Sequence, residues 1–165
     1  MRTIIQNIYK FDELAPSAQK VTIYTYRGIL VDGCCWWDII EEDAKELAQL
    51  KITVFDLSYD IASKFITNPR SSAQNIICEL PSHSNLYTIA ANFLSKLDSL
   101  EHQEDTSKTE TDIQNAEDDY KSHLENYYSK VLEEEYNYLI SDEAISDHLL
   151  ANDFEFYEDG MIFKS

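Results

Sequence analysis

Cysteine, histidine and carboxylate are the side chains of this sequence that could carry chemistry. Cys34 and Cys35 are adjacent and Cys78 stands apart, so no spacing makes a CxxC metal or redox pair. A thiolate nucleophile would need a histidine brought near by the fold. Trp36 and Trp37 directly follow the cysteine pair, and burial as ordinary reduced thiols is the plainer expectation. His83, His102, His123 and His148 are scattered, without HxxxH or HExxH spacing, so no metal centre is expected. Gly28, Gly33 and Gly160 are isolated, which leaves no glycine-rich loop to cradle a phosphate. An enzyme acting on a nucleotide would need a cationic pocket, drawing on Arg2, Arg27 or Arg70. Nothing in the sequence gathers them. No catalytic residue and no cofactor is expected.

The carboxylates differ because of their number and placement. The 165 residues carry a formal charge of -18. Residues 1–100 hold 9 Lys+Arg against 12 Asp+Glu, a net of -3, while residues 101–165 hold 4 against 19, a net of -15. Such a chain is not expected to bind nucleic acid directly or to sit on an anionic membrane, since both need clustered Lys and Arg. A basic protein is the expected partner. Adjacent tryptophans can stack bases, but Asp38, Glu41 and Glu42 beside Trp36 and Trp37 would repel a phosphate backbone.

The acidity is densest in "DDYKSHLENYYSKVLEEEYNYLISDEAISDHLL", residues 118–150. At helical periodicity Tyr120, Leu124, Tyr128, Val131, Leu132, Tyr138 and Leu139 gather on one side, with Asp118, Asp119, Glu125 and Glu133 on the other. Glu117 and Glu135 fall within the apolar sector. Runs such as "EDD" and "EEE" place like charges together at a cost in stability. Carboxylates one turn apart recur every ~5.4 Å, comparable with the phosphate step of a nucleic acid strand. The bland reading is a solvated helix face; the sharper one is a surface that imitates DNA. The candidate contact set is Asp118, Asp119, Glu125, Glu133, Glu134, Glu135, Tyr136, Asp142 and Glu143.

The elements that must position these residues follow from pattern and punctuation. "RTIIQNIYKF" alternates as a strand, with Ile4 and Ile8 inward. "DELAPSAQKVTIYTYRG" reads as a helix with Pro16 in its first turn and Gly28 at its end. In the next helix Trp36, Ile39, Ile40, Ala44, Leu47 and Ala48 form an apolar stripe. "ITVFDLS" and "SKFIT" are short strands, and "SSAQNIICEL" and "SNLYTIAANFLSKLDSL" are helices opened by serine caps. Residues 101–111, "EHQEDTSKTET", are expected to form a mobile acidic loop. A long helix then runs from about Asp112 to Ile140, Ser141 caps another through Leu150, and "FEFYEDGMIF" makes a hairpin. The fold class is α+β in one domain: a small, mostly antiparallel sheet from strands near both chain ends, packed by several helices including one long acidic helix. The start lacks the apolar core of a signal peptide, and no window approaches a membrane span. A soluble, intracellular protein is expected.

Two stretches carry a resemblance. "IYKFDELAPSAQKVTIYTYR" with "WWDIIEEDAKEL", and "LEEEYNYLISDEAISDHLLANDFEFYEDG" near the end, together cover about two fifths of the chain. They resemble the opening and close of a family of small acidic bacteriophage and prophage proteins, mostly uncharacterised, some labelled antitoxin-like. The resemblance implies a phage origin, a place in the bacterial host cytoplasm and an accessory role, and it brings no catalytic residues. Pro16 and residues 58–111 depart from the family pattern. Combined with the acidity, it leads to the expectation of a counter-defence inhibitor acting on a CRISPR effector or nuclease. An antitoxin-like protein neutralising a basic toxin, or a phage structural protein, is the alternative.

Overall fold

The computed structural model describes residues 7–32, 35–55, 60–102 and 106–163. The chain is α+β, with six helices and a two-stranded antiparallel sheet among these residues. Its length suggests one domain, but its contacts group into two compact units, Met1–Trp36 with Glu135–Ser165, and Trp37–Glu134.

In the first unit a 3-10 turn, Phe11–Glu13, leads into α1, Pro16–Thr25. The helix starts later than the acidic run at Asp12 predicts, because Pro16 occupies its first turn, where a missing N–H costs nothing. The chain ends meet by isolated antiparallel bridges, Tyr9 with Phe156 and Phe156 with Ile162. Tyr9 and Phe156 exchange two backbone bonds of 2.9 Å. Residues 1–6, most of the strand expected at the start, lie outside the described residues. The hairpin expected at the end closes as a tight turn, with Gly160 N–H donating to the Tyr157 carbonyl. Helix α6, Asp142–Ala151, is capped as expected: Ser141 Oγ accepts from Ala144 N–H at 3.2 Å. Its Ile145 and Leu149 pack with Phe11, Leu14, Ala18 and Phe156 into a core.

The second unit holds the sheet. Strands β1, Leu50–Phe55, and β2, Asp60–Phe65, pair in a register that sets Leu50 opposite Phe65 and Ile52 opposite Ser63. Period-two alternation sorts the faces. Leu50 and Ile52 are buried, while Lys51, Thr53, Ala62 and Lys64 face solvent. Among the described residues the regular ladder is therefore a mid-chain hairpin, and the stretches near the chain ends contribute isolated bridges. Helix α2, Asp38–Glu46, packs on β1, and α3, Pro69–Glu79, packs on α4, Asn85–Glu101. Asn68, not a serine, caps α3 through Ser71 N–H at 2.8 Å, followed by Pro69; Ser84 caps α4.

Three expectations are corrected by packing. Ile39 is 82% exposed, because Ile40 and Ala44 form the inward line of α2. Cys35 and Cys78 are exposed, not buried thiols; Cys34 lies outside the described residues. The long helix α5 spans Thr106–Leu139, so residues 106–111 are its first turns where an acidic loop was expected. Residues 103–105 lie outside the described set.

Candidate functional site

Helix α5 is 34 residues long, about 51 Å at 1.5 Å per residue. Among its described side chains the buried ones are Ala116, Tyr120, Leu124, Tyr128 and Leu132, one every four residues. A step of four overshoots a turn by about 40°, so the buried line winds around the helix. Tyr136 and Ile140 continue it, both half-buried. Tyr138 falls off that line and is 56% exposed, against the expectation that it packs inward.

The buried line is anchored by polar contacts as well as apolar ones. Tyr120 OH meets Ser72 Oγ at 3.0 Å, and Ser72 Oγ also donates to the Ala48 carbonyl at 2.5 Å. The Tyr120 ring stacks between Phe93, at 4.3 Å, and Phe65, at 5.8 Å. Burial pushes its phenol up to about 12. Tyr128 OH donates to Asp43 Oδ2 at 3.2 Å, and burial, then the Asp43 charge, push its phenol higher still.

The candidate carboxylates of this unit separate into three kinds. Asp118 is exposed and accepts a hydrogen bond from Gln114 Nε2 at 3.1 Å. Asp119 is bound by Lys96 Nζ at 2.9 Å; that hydrogen bond and charge hold its carboxyl below the usual range. Glu125 is half-buried: it accepts from Ser63 Oγ at 2.7 Å and lies 3.6 Å from Lys121 Nζ. It ties α5 to β2 and is not part of an outward face. Glu133 and Glu134 are exposed, and among the described residues neither they nor Asp118 have a cation within salt-bridge distance. Asp118 and Glu133 are about 22 Å apart along the helix. The carboxylates thus form two clusters, with the uncharged Ser122 and Asn126 and the basic Lys130 exposed between them, rather than a ladder at every turn.

The remaining candidates belong to the first unit. Glu135 is half-buried, and Tyr136 is half-buried with its ring 5.8 Å from Trp36. Asp142 is held by Arg27 Nη2 at 2.5 Å, while Glu143 is exposed in the acidic first turn of α6, where the helix dipole favours it. Lys96 and Arg27, which decide the state of two candidate carboxylates, were not singled out for that role by the sequence. Their partners are 23 and 115 positions away, and no local pattern marks such pairs.

Among the described residues no group of His, Cys, Asp and Glu is arranged to hold a metal ion. None of their helices is long and apolar enough to cross a membrane. Comparison with protein-family models, with curated proteins and with solved structures gives no match for this chain.

Proposed function

We propose that this chain is a phage-encoded counter-defence inhibitor, of anti-CRISPR or anti-restriction type. In this reading it binds a basic bacterial protein, a CRISPR effector or nuclease, and occupies its nucleic-acid groove with an acidic, DNA-mimicking surface. The observation that carries the reading is the pair of exposed carboxylates Glu133 and Glu134, which among the described residues have no cation within salt-bridge distance, on a chain of charge -18. Lys10, Arg27, Lys45, Arg70, Lys96 and Lys121 each sit against a carboxylate, and with 13 Lys and Arg against 31 Asp and Glu most carboxylates cannot be compensated. The remaining negative field steers a basic partner and replaces the phosphates it would otherwise hold. The phage resemblance of the two ends belongs to the same reading.

The test is capture of candidate effectors by the tagged chain, with elution by salt and by duplex DNA or guide RNA. Charge reversal of Asp118, Glu133 and Glu134 to Lys should weaken capture by at least about tenfold, the scale of one or two lost interfacial charge contacts. Undiminished capture by that variant would refute the mimicry. Recovery of a small basic toxin that competing nucleic acid does not displace would replace it with the antitoxin reading.

A further inference from the structure

The two-stranded sheet of the second unit has two outer edges, and they differ. Ile66 N–H donates to the Gln49 carbonyl at 2.8 Å, one step beyond the ladder in the same register. Bonded and non-bonded positions alternate along an antiparallel pair, so Lys51 with Lys64 and Thr53 with Ala62 are the bonded pairs. The main-chain groups of Leu50 and Ile52 on β1, and of Ile61, Ser63 and Phe65 on β2, therefore point away from the neighbouring strand. On β1 that edge is closed, because α2 packs on the strand and Leu50 and Ile52 are 0% and 4% exposed. On β2 the edge is open. Ile61, Ser63 and Phe65 are half-buried, and among the described residues their outward N–H and C=O groups meet no hydrogen-bond partner. Such a row is a template for another strand. We propose that β2 pairs with β2 of a second copy of this chain, antiparallel about a two-fold axis at Ser63, joining two hairpins into one four-stranded sheet. This inference does not rest on the inhibitor reading.

The strand is complementary to itself. With Ser63 opposite Ser63 of the second copy, Ile61 falls opposite Phe65, and each outward-pointing residue of one strand meets one of the other. Of the two-fold registers, only this one pairs all three. On the solvent face Lys64 then lies opposite Ala62 of the second copy, whereas a slide that set Lys64 against Lys64 would oppose like charges. The edge is also held in place before pairing. Phe65 stacks on Tyr120 and Ser63 Oγ donates to Glu125, which fix the inner face of β2 on α5.

Local charge permits the approach of a second copy. The chain carries -18 in all, but the stretch Ile61–Phe65 holds a single charge, Lys64, and the residue across from it on β1 is Lys51. Two copies thus meet here without opposing carboxylates. The same lysines disfavour a strand of a basic protein as the occupant. A two-stranded hairpin is marginal by itself, while a sheet of three or more strands with an apolar face is not, so pairing adds to the stability of the element.

The experiment is sedimentation equilibrium of the full chain over a concentration series, joined to amide hydrogen exchange. So few bonds place the contact at the small end of specific interfaces, and a dissociation constant of about 10–1000 μM is expected. Protection of the Ile61, Ser63 and Phe65 amides should rise with protein concentration, while Ala62 and Lys64, bonded to β1, stay protected throughout. Ser63→Pro removes the central outward N–H without touching the ladder, and should weaken the dimer by about tenfold or more, since two symmetric bonds are lost. Ser63→Ala loses the same bond to Glu125 but keeps the N–H, and should pair like the parent chain. Ala62 is exposed, so it can be charged without disturbing the monomer. Ala62→Glu sets a carboxylate opposite Lys64 of the second copy and should tighten the dimer at least about twofold, whereas Ala62→Lys should weaken it by a similar factor. A monomer at every concentration, a dimer that Ser63→Pro leaves intact, or equal effects of Ala62→Glu and Ala62→Lys would each overturn the proposal.

Discussion

Gly160 and Gly28 differ in what surrounds them, and the same substitution should separate them. A Cβ built at Gly160 overlaps Thr22 Oγ1 and comes within 2.7 Å of the Ala18 carbonyl oxygen, at a φ of +87. Alanine there pays about 1 kcal/mol for the left-handed conformation. The Ala18 oxygen is main chain in α1 and cannot swing aside, so the turn must retreat from the helix. Retreat breaks the 2.9 Å bond from Thr22 Oγ1 to the Gly160 carbonyl at a buried site, which costs about 1–3 kcal/mol. Gly160→Ala should therefore lose about 2–4 kcal/mol, a large share of the stability of a typical domain. At Gly28 the added Cβ meets the Asp32 carboxylate at 2.8 and 2.9 Å. Asp32 is exposed, and its side chain can rotate away, so Gly28→Ala should cost no more than about 1 kcal/mol. Urea unfolding followed by far-UV circular dichroism measures both. Equal losses at the two glycines would refute the reasoning, as would complete relief of Gly160→Ala by Thr22→Ala, because the Ala18 carbonyl remains in the way.

Four other outcomes follow from burial and charge. Leu124 is fully buried in α5, so Leu124→Ala should cost about 2–5 kcal/mol in the same urea titration. Ile39→Asp should change stability by no more than about 0.5 kcal/mol, since the side chain is 82% exposed; a larger loss would mean that its position on α2 is misread. Glu133→Lys combined with Glu134→Lys should leave the unfolding midpoint within the scatter of surface substitutions, about 0.5 kcal/mol, which separates any loss of partner binding from loss of fold. Tyr120 gives a pH dependence. With its phenol pushed up to about 12, the unfolded chain ionises first, so stability is complete below pH about 10 and is lost as pH rises from about 10 to about 12. The loss is of order 2–3 kcal/mol, and Tyr120→Phe should flatten that part of the alkaline stability curve; an unchanged slope would refute the assignment.

Much of the local structure was legible because its causes are local. Ser84 and Ser141 cap their helices as side-chain chemistry requires, and Pro16 marks the first turn of α1. The two hairpin strands were legible from the β-branched and aromatic residues of "ITVFDLS" and "SKFIT", but each starts earlier than expected, at Leu50 and Asp60, because pairing between the strands sets their bounds. The start of α5 was missed because residues 106–111 contain no large apolar residue, and hydrophobic periodicity is silent where nothing is buried. The inward face was only partly legible for a related reason. A burial period of four, not 3.6, sends the apolar line around the helix, so Tyr138 comes out to solvent while Tyr136 turns towards Trp36.

What the sequence determined by itself is the α+β class, the placement of most helices and the concentration of negative charge after residue 100, since these depend on composition and short-range periodicity. What the tertiary structure decided is which carboxylates face solvent without a cation. Asp119 is neutralised by Lys96, Asp142 by Arg27, and Glu125 is drawn to Ser63 across 62 positions. Each of those contacts is made between residues far apart in the chain, and electrostatic pairing depends on distance in space, which no spacing along the sequence encodes.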